Sequence, residues 1–255
     1  MKRWNFGLGL GALFATTMAM AGTAGDKGFR VRPAHLESER YAELAREFGA
    51  EDPLRALADD LNGALKLPKS LGLRYAECGE ANAFYDPETR TISLCFELIE
   101  QLAEDFGRHL DDDDELATAV AGAYIFIALH EVGHALVDVL ELPITGREED
   151  AVDQLSAWLL IGEADGNDAV LNAAMAFSIA GEGYELADGD FADSHSLDQQ
   201  RYFNMVCWVY GSDPEAQQGL AEQAGLPPGR AEACAEEYAR IDTSWSKLLA
   251  PYIKE

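Results

Sequence analysis

Residues 129–136 read LHEVGHAL, a segment with two histidines four residues apart and a glutamate directly after the first. In an α-helix, side chains four residues apart lie one turn apart on the same face, so His130 and His134 can reach a single metal ion. The residues around them are uncharged, which is typical of a buried helix. The sequence therefore predicts a buried helix that presents His130 and His134 to a metal, with Glu131 beside them.

The N-terminus has the composition of a secretory signal peptide. A basic start precedes an apolar stretch, residues 6–20, and a small-x-small cleavage site ends at Ala21. The apolar stretch is interrupted by glycines and threonines and is shorter than the roughly 20 residues that a membrane span needs. We expect residues 1–21 to be a signal peptide and residues 22–255 to form one domain. The protein is then periplasmic or secreted, with no stable membrane insertion after cleavage.

Four cysteines in an exported chain indicate disulfides, because the compartments outside the cytoplasm are oxidising. Three pairings are open. Cys78 and Cys95 flank a predicted hairpin, and Cys207 and Cys234 lie in two late helical segments. Pairing Cys78 with Cys95 and Cys207 with Cys234 gives the shortest loops between bonded cysteines. A metal site built from these cysteines is disfavoured, because the chain has no CxxC spacing.

The charge of the chain constrains its partners. The 19 Lys and Arg residues are outnumbered by 46 Asp and Glu residues, which gives a formal net charge of −27. Such a surface argues against binding to nucleic acid or anionic membranes, and it favours a cationic peptide or protein as substrate.

The apolar pattern predicts a mostly helical α+β fold. Residues 34–65 carry the periodicity of two helices, with Pro53 opening the second. An extended segment at 71–76 precedes a predicted β-hairpin at 82–95. Four more helices are expected. The first covers 96–106, and the second, 115–142, carries the histidines, begins after the acidic run 111–114 and stops at Pro143. The third begins at Glu148, and the fourth is opened by a capping box at 196–199 and closed by Gly211.

A catalytic zinc takes three protein ligands and leaves a fourth position for water, so the two histidines need a third partner. A metzincin would continue with a glycine and a histidine, but these positions hold Val137 and Leu140, which excludes that subclass. Glu149, at the start of the next predicted helix, is the best candidate. Asp150 and Asp153 are the alternatives.

Other acids near the motif are assigned supporting roles. The Asp153 carboxylate can accept a hydrogen bond from the far ring nitrogen of a ligand histidine, with His130 as the first candidate, and so fix its tautomer. Glu148 and Asp150 fit an ordinary charged helix N-terminus. Asp138 fits a contact with the metal site and a surface position equally well.

This donor set predicts hydrolysis with one zinc ion per chain. Zinc polarises a carbonyl and acidifies water, and Glu131 takes the proton of that water as general base and delivers it to the leaving amine. The developing oxyanion needs a second donor. His195 is the candidate, with Tyr184 and Tyr85 behind it, although the pattern slightly favours a plain loop histidine. The two upstream histidines fit polar helix surfaces.

Three quoted segments carry a family resemblance. HEVGHALVDVLELPITGREEDAVDQ, with NAFYDPETRTISLCFELI before it and HSLDQQRYFNMVCWVYGSDP after it, resembles a family of exported bacterial metallopeptidases of uncharacterised function. The helix pair is similar to that of gluzincins, which implies a zincin-like fold, with a central HExxH helix packed against a second ligand-bearing helix and a small β-sheet. Over residues 35–240 the resemblance implies zinc ligands His130, His134 and Glu149, the base Glu131, and a histidine-supporting Asp153.

The chain also departs from the thermolysin pattern, because the stretch between His134 and Glu149 is short and no asparagine precedes Glu149. The leading interpretation is a zinc-dependent peptidase. The alternatives are a zinc-binding envelope or interaction protein without turnover, and a zinc hydrolase of a non-peptide amide or ester. Glu131 favours chemistry, since a purely structural site gains nothing from it. The hairpin at 82–95 is expected either to hold an extended peptide along its edge or to be a plain structural hairpin.

Overall fold

The computed structural model describes residues 27–48 and 52–254, so the predicted signal peptide lies outside the described residues. Within them the chain is mostly helical with one small mixed sheet. The elements follow the chain in this order: β1 (Gly28–Val31), α1 (Glu39–Phe48), α2 (Pro53–Ala64), β2 (Ser70–Ala76), β3 (Ala83–Asp86), β4 (Thr91–Cys95), α3 (Phe96–Gly107), α4 (Asp113–Leu140), α5 (Glu148–Leu160), α6 (Gly166–Ala180), α7 (Asp198–Ser212), α8 (Leu220–Gln223) and α9 (Pro228–Leu249).

The four strands form one sheet in the order β1-β2-β4-β3. Strands β1, β2 and β4 are parallel, and β3 runs antiparallel to β4 at the edge. The predicted hairpin is therefore confirmed, with Tyr85 opposite Ile92. All five residues of β4 are buried, which fits a strand covered by helices on its faces. The sequence analysis did not predict β1 or the parallel pairing of β2 with β4.

The predicted helices are present, with shifted ends. The stretch 34–65 contains α1 and α2, but its first residues are not helical, and His35 instead pairs with Ala76 at the edge of the sheet. Asp52 caps α2 by accepting a hydrogen bond from the Leu54 N–H at 3.0 Å. Helix α4 ends at Leu140, before Pro143, because Glu141 adopts a left-handed conformation with φ of 52°.

Helix α4 is the central element of the fold. It packs against α3, α5, α6 and strands β3 and β4. The acidic run 111–114 stands at its start, as predicted, and also caps it, since the Asp112 carboxylate accepts hydrogen bonds from the N–H groups of Asp114 and Glu115. By length and composition α4 is apolar enough to cross a bilayer, but 56% of its most apolar window is buried inside the fold. Its apolar surface is thus largely used in packing.

Two disulfides join Cys78 to Cys95 and Cys207 to Cys234, which confirms the shortest of the three pairings. The first bridge ties the chain after β2 to the end of β4, and the second ties α7 to α9. Gly211 lies within α7 rather than after its end, and a Cβ there would lie 2.3 Å from the Cys234 carbonyl oxygen. Its role is a close helix contact, not the predicted cap. The two disulfides indicate an oxidising compartment.

Gly133, inside the HExxH segment, sets the distance between α4 and α5. A Cβ at this position would lie 2.7 Å from the Val152 Cβ, which is closer than such atoms approach. The absence of a side chain therefore lets α5 cross α4 closely at this point. Because α5 begins at Glu148, this crossing brings the acidic first turn of α5 toward the histidines of α4.

We expect Gly133→Ala to destabilise the protein by about 1–3 kcal/mol, because the added methyl group forces α5 away from α4. The matched control is Gly63→Ala, which makes the same change in an exposed helical position with nothing within 4 Å of the new Cβ. The control should be neutral or stabilising, since alanine is the better helix former. Urea unfolding gives both free energies, and equal effects of the two substitutions would contradict the close crossing.

Candidate metal centre

Three side-chain atoms from α4 and α5 converge on one point. His130 Nε2 and His134 Nε2 lie 3.2 Å apart. Glu149 Oε2 lies 3.1 Å from the first and 3.2 Å from the second. The histidines are one turn apart on α4, and Glu149 is in the first turn of α5, so the helix crossing at Gly133 creates the cluster.

The chemistry of this donor set fits a metal ion. An N–H group points straight at one acceptor only, so three atoms at mutual distances of 3.1–3.2 Å cannot all be joined by straight hydrogen bonds. One cation shared by the three atoms removes this conflict. The separations also resemble those of tetrahedral zinc ligands, which lie roughly 3.3–3.4 Å apart when each bond is about 2.0–2.1 Å long. His130, His134 and Glu149 therefore fit a metal.

Each of the two histidines is oriented by a carboxylate on its other ring nitrogen. Asp153 Oδ1 lies 2.8 Å from His130 Nδ1, where the sequence analysis expects it. Glu148 Oε1 lies 2.8 Å from His134 Nδ1. The assignment of Glu148 to an ordinary charged helix N-terminus is therefore wrong, because its carboxylate contacts a histidine of the cluster. Such contacts fix the tautomer and direct the Nε2 lone pair toward the metal position.

Arg201, on α7, completes the arrangement behind His130. Its guanidinium makes a two-point contact with Asp153, with both N···O distances at 2.8 Å, and it stacks on the Phe177 ring. Burial by itself raises the pKa of Asp153, but Arg201 and His130 outweigh it and lower that pKa to about 2. Asp153 thus stays ionised and holds His130 in place.

His195 lies in the same cluster, although the sequence slightly favours a plain loop position. Its Nε2 is 3.0 Å from Glu149 Oε2, and its Nδ1 is 3.0 Å from Asp193 Oδ1. Glu149 Oε2 therefore faces three imidazole nitrogens. Tyr184, expected behind His195, is instead exposed, and its hydroxyl donates to Asp190.

The alternative third ligands lie elsewhere. Asp150 Oδ1 accepts a hydrogen bond from the Ser196 hydroxyl at 2.6 Å, so Ser196 holds Asp150 and does not cap α7 as predicted. Asp153 contacts the far side of His130. Asp138, for which the sequence leaves two roles open, accepts a hydrogen bond from the Tyr85 hydroxyl at 2.6 Å at the edge of the cluster.

Glu131 lies next to the donor atoms but faces a different partner. It is 8% exposed, and its carboxylate accepts a hydrogen bond from the backbone N–H of Tyr85. Burial raises the pKa of Glu131 above its ordinary value, against the opposing effect of the two imidazoles. A carboxylate with a raised pKa beside a metal position is suited to accepting and releasing a proton.

The cluster opens into a cleft of about 610 Å³. Residues of β3 form one wall, and the apolar side chains of Leu98, Ile127 and Phe177 line its interior. His35 and His109, the two upstream histidines, are both exposed and do not line the cleft, which agrees with their assignment to the surface. The prediction that they lie on helices is wrong, since His35 pairs with Ala76 and His109 lies in the turn after α3. The cleft therefore combines an apolar interior with one polar cluster, as ligand sites do.

The sequence analysis missed three residues of the site: Glu148, Asp193 and Arg201. Glu148 contacts His134 across 14 residues of sequence and Arg201 contacts Asp153 across 48, so no local spacing indicates them. Asp193 is close to His195 in sequence, but both lie in a loop that has no periodicity. Arg201 left one signal, because an aspartate buried on α5 requires a cation, and the chain has only 19 Lys and Arg residues to supply it.

We expect Asp153→Asn to weaken metal binding about 10- to 100-fold, because the amide cannot replace the carboxylate that orients His130. The matched control, Asp168→Asn, removes the same charge from an exposed position on α6 and should leave metal affinity unchanged. Competition with a chromophoric chelator measures both affinities. A change of less than about twofold for Asp153→Asn would show that this contact does not support a metal ligand.

Comparison with known proteins places the chain in a family. Residues 34–249 match the family described as "Putative metallopeptidase" (DUF4344), and this range contains every residue of the cluster. No curated protein and no solved structure matches the chain. The family description implies a metal and, at a coarse level, hydrolytic activity. Because the match covers most of the sequence, the chain belongs to this metallopeptidase family.

Proposed function

We propose that this protein is a zinc-dependent peptidase with a zincin-like fold. The observation that carries the proposal is the convergence of His130 Nε2, His134 Nε2 and Glu149 Oε2 to within 3.2 Å of one another. Two imidazoles and one carboxylate from a HExxH helix and the following helix are a donor set of catalytic zinc sites. The central position of α4 and its packing against α5 support the zincin-like assignment.

His130, His134 and Glu149 are the residues that hold the zinc in this proposal. Imidazole nitrogens suit zinc and several other divalent metals. Zinc also binds carboxylate oxygens, so Glu149 can complete the set of ligands. When bound, zinc supplies Lewis-acid chemistry, which lowers the pKa of water and polarises the carbonyl group to be cleaved.

Glu131 moves the proton in this reaction. Its carboxylate is buried beside the donor atoms, and the Tyr85 N–H holds it in place. From this position Glu131 accepts a proton from the attacking water and delivers it to the nitrogen of the leaving amine. It is the general base and then the general acid.

His195 is the proposed donor to the oxyanion. Its Nε2 lies 3.0 Å from Glu149 Oε2, and the Asp193 carboxylate at its Nδ1 fixes the ring. An imidazole N–H directed at the developing negative charge stabilises the transition state more than the ground state. Arg201 is a positioning residue, since it acts through Asp153.

Strand β3 is suited to hold an extended peptide. The Asn82 carbonyl accepts a hydrogen bond from the Cys95 N–H, so the alternation of an antiparallel pair turns the backbone groups of Ala83 and Tyr85 away from β4. These residues line the cleft. The N–H groups on this edge already donate, that of Ala83 to Asn82 Oδ1 at 2.9 Å and that of Tyr85 to Glu131. We propose that a substrate lies along this edge and donates hydrogen bonds to the Ala83 and Tyr85 carbonyls.

The charge of the protein favours a cationic peptide or protein substrate and disfavours nucleic acid. The net charge is −27, and Asp138 and Glu148 both line the cleft. We also propose that the protein is exported, with cleavage of residues 1–21 and one domain over residues 22–255. The two disulfides support export to the periplasm or the medium.

One observation favours a second candidate, a zinc-binding protein without turnover. His195, 3.0 Å from Glu149 Oε2, is a further donor beside the cluster, and structural zinc sites are those in which the protein fills all four positions. Under this alternative Glu131 has no proton to transfer. Substitution of Glu131 therefore separates the two functions.

We expect Glu131→Gln to abolish cleavage of a cationic peptide library, lowering the rate at least about 100-fold, because the amide cannot take a proton. The variant should retain about one zinc per chain, measured by elemental analysis, since Glu131 is not a ligand. The matched control is Glu115→Gln, an exposed position in the first turn of the same helix, which should keep full activity.

Two results would contradict this proposal. Zinc binding by the wild-type protein with no cleavage of any peptide in the library would favour the non-catalytic alternative. Unchanged cleavage by Glu131→Gln would remove Glu131 from the reaction while leaving the metal site intact.

A further inference from the structure

Three imidazoles in this protein share one arrangement. His130, His134 and His195 each direct Nε2 toward Glu149 Oε2, at 3.1, 3.2 and 3.0 Å. Each also has a carboxylate at its Nδ1: Asp153 at 2.8 Å for the first, Glu148 at 2.8 Å for the second and Asp193 at 3.0 Å for the third. A carboxylate on the far nitrogen is the usual partner of a metal-ligating histidine. His195 therefore has the same surroundings as the two histidines of the motif.

We infer that His195 is a fourth, removable metal ligand that closes the site while no substrate is bound. This inference rests on the proposed function, because it concerns the same metal. The ligand atoms of His130, Glu149 and His195 lie within 4.8 Å of one another, a spacing that one ion can bridge. A zinc site with four protein ligands has no position left for substrate or reactive water. The substrate-free protein is then latent.

The first turn of α5 holds His195 in this place. The Arg147 guanidinium donates to the His195 carbonyl oxygen at 3.1 Å, and the Ser196 hydroxyl donates to Asp150 at 2.6 Å. Arg147 and Asp150 flank Glu149 in the sequence. His195 and Ser196 are therefore hydrogen-bonded to the first turn of α5, which also supplies the third donor, Glu149.

The chain that precedes His195 makes hydrogen bonds within itself and exposes apolar side chains. Between α6 and α7, the Tyr184 hydroxyl and the Ala187 N–H both donate to Asp190, so the loop is bonded to itself. Its apolar side chains Leu186 and Phe191 are 54% and 60% exposed. The His195 side chain is itself 47% exposed. Displacement of His195 breaks the contacts with Arg147 and Asp150 and leaves the other three donors, which lie on α4 and α5, in place.

The two roles of His195 exclude each other at any one moment. As a ligand, its Nε2 offers a lone pair, whereas as the oxyanion donor, its Nε2 carries a proton. Substrate entering along β3 must therefore displace His195 from the metal before His195 can donate to the carbonyl oxygen. The loop couples substrate entry to opening of the site.

The test is azide binding to the purified protein loaded with Co²⁺, followed by the visible absorption of the ion. Azide needs a free coordination position, so His195→Ala should bind it at least about tenfold more tightly than the wild-type protein. The same variant should bind Co²⁺ about 10- to 100-fold more weakly, because it lacks one ligand. His35→Ala, which removes an exposed histidine outside the cleft lining, is the matched control and should match the wild-type protein in both measurements.

Arg147→Ala provides a second variant that keeps all donor atoms. Because this variant releases the His195 carbonyl, it should give an azide affinity between those of the wild-type protein and His195→Ala. If His195→Ala fails to fold, Arg147→Ala alone provides the test. Equal azide and Co²⁺ affinities in all four proteins would overturn the inference and leave His195 as a donor only. Failure of the wild-type protein to bind Co²⁺ would instead overturn the proposed function together with the inference.

Discussion

The close crossing of α4 and α5 is the constraint on which the candidate site depends. Gly133 lies at this crossing, against Val152, and the first turn of α5 lies beside the histidines of α4 as a result. A longer distance between the helices would leave Glu149 out of reach of His130 and His134. The glycine of the HExxH segment thus has a packing role that the metal-ligand spacing alone does not reveal.

The site is held by a second set of contacts that concentrates negative charge around the imidazoles. Asp153, Glu148 and Asp193 each orient one histidine, and Arg201 balances the buried Asp153. Arg201 lies on α7, and a disulfide joins α7 to α9, so the position of His130 is linked to the C-terminal helices. The donor atoms are therefore held in place by α5, α7 and the loop before α7, as well as by the HExxH helix α4.

The sequence was sufficient where the information is local. The spacing of His130 and His134, the hairpin of β3 and β4 and both disulfides follow from residues close together in the chain. The prediction of Glu149 needs one further assumption, that two consecutive helices pack against each other. The parallel pairing of β2 with β4 and the contact between Arg201 and Asp153 join distant segments, and no periodicity or spacing encodes them. Glu148 was misassigned because an acid in a first turn already has a local explanation.

The central claim is that one divalent ion binds between α4 and α5, and anomalous X-ray diffraction tests it most directly. Data from crystals of the zinc-loaded protein, collected on both sides of the zinc absorption edge, locate the ion without reference to the protein atoms. The account predicts one strong peak per chain within about 2.3 Å of His130 Nε2, His134 Nε2 and Glu149 Oε2. A peak bound by other residues, or no peak at full zinc occupancy in solution, would contradict it.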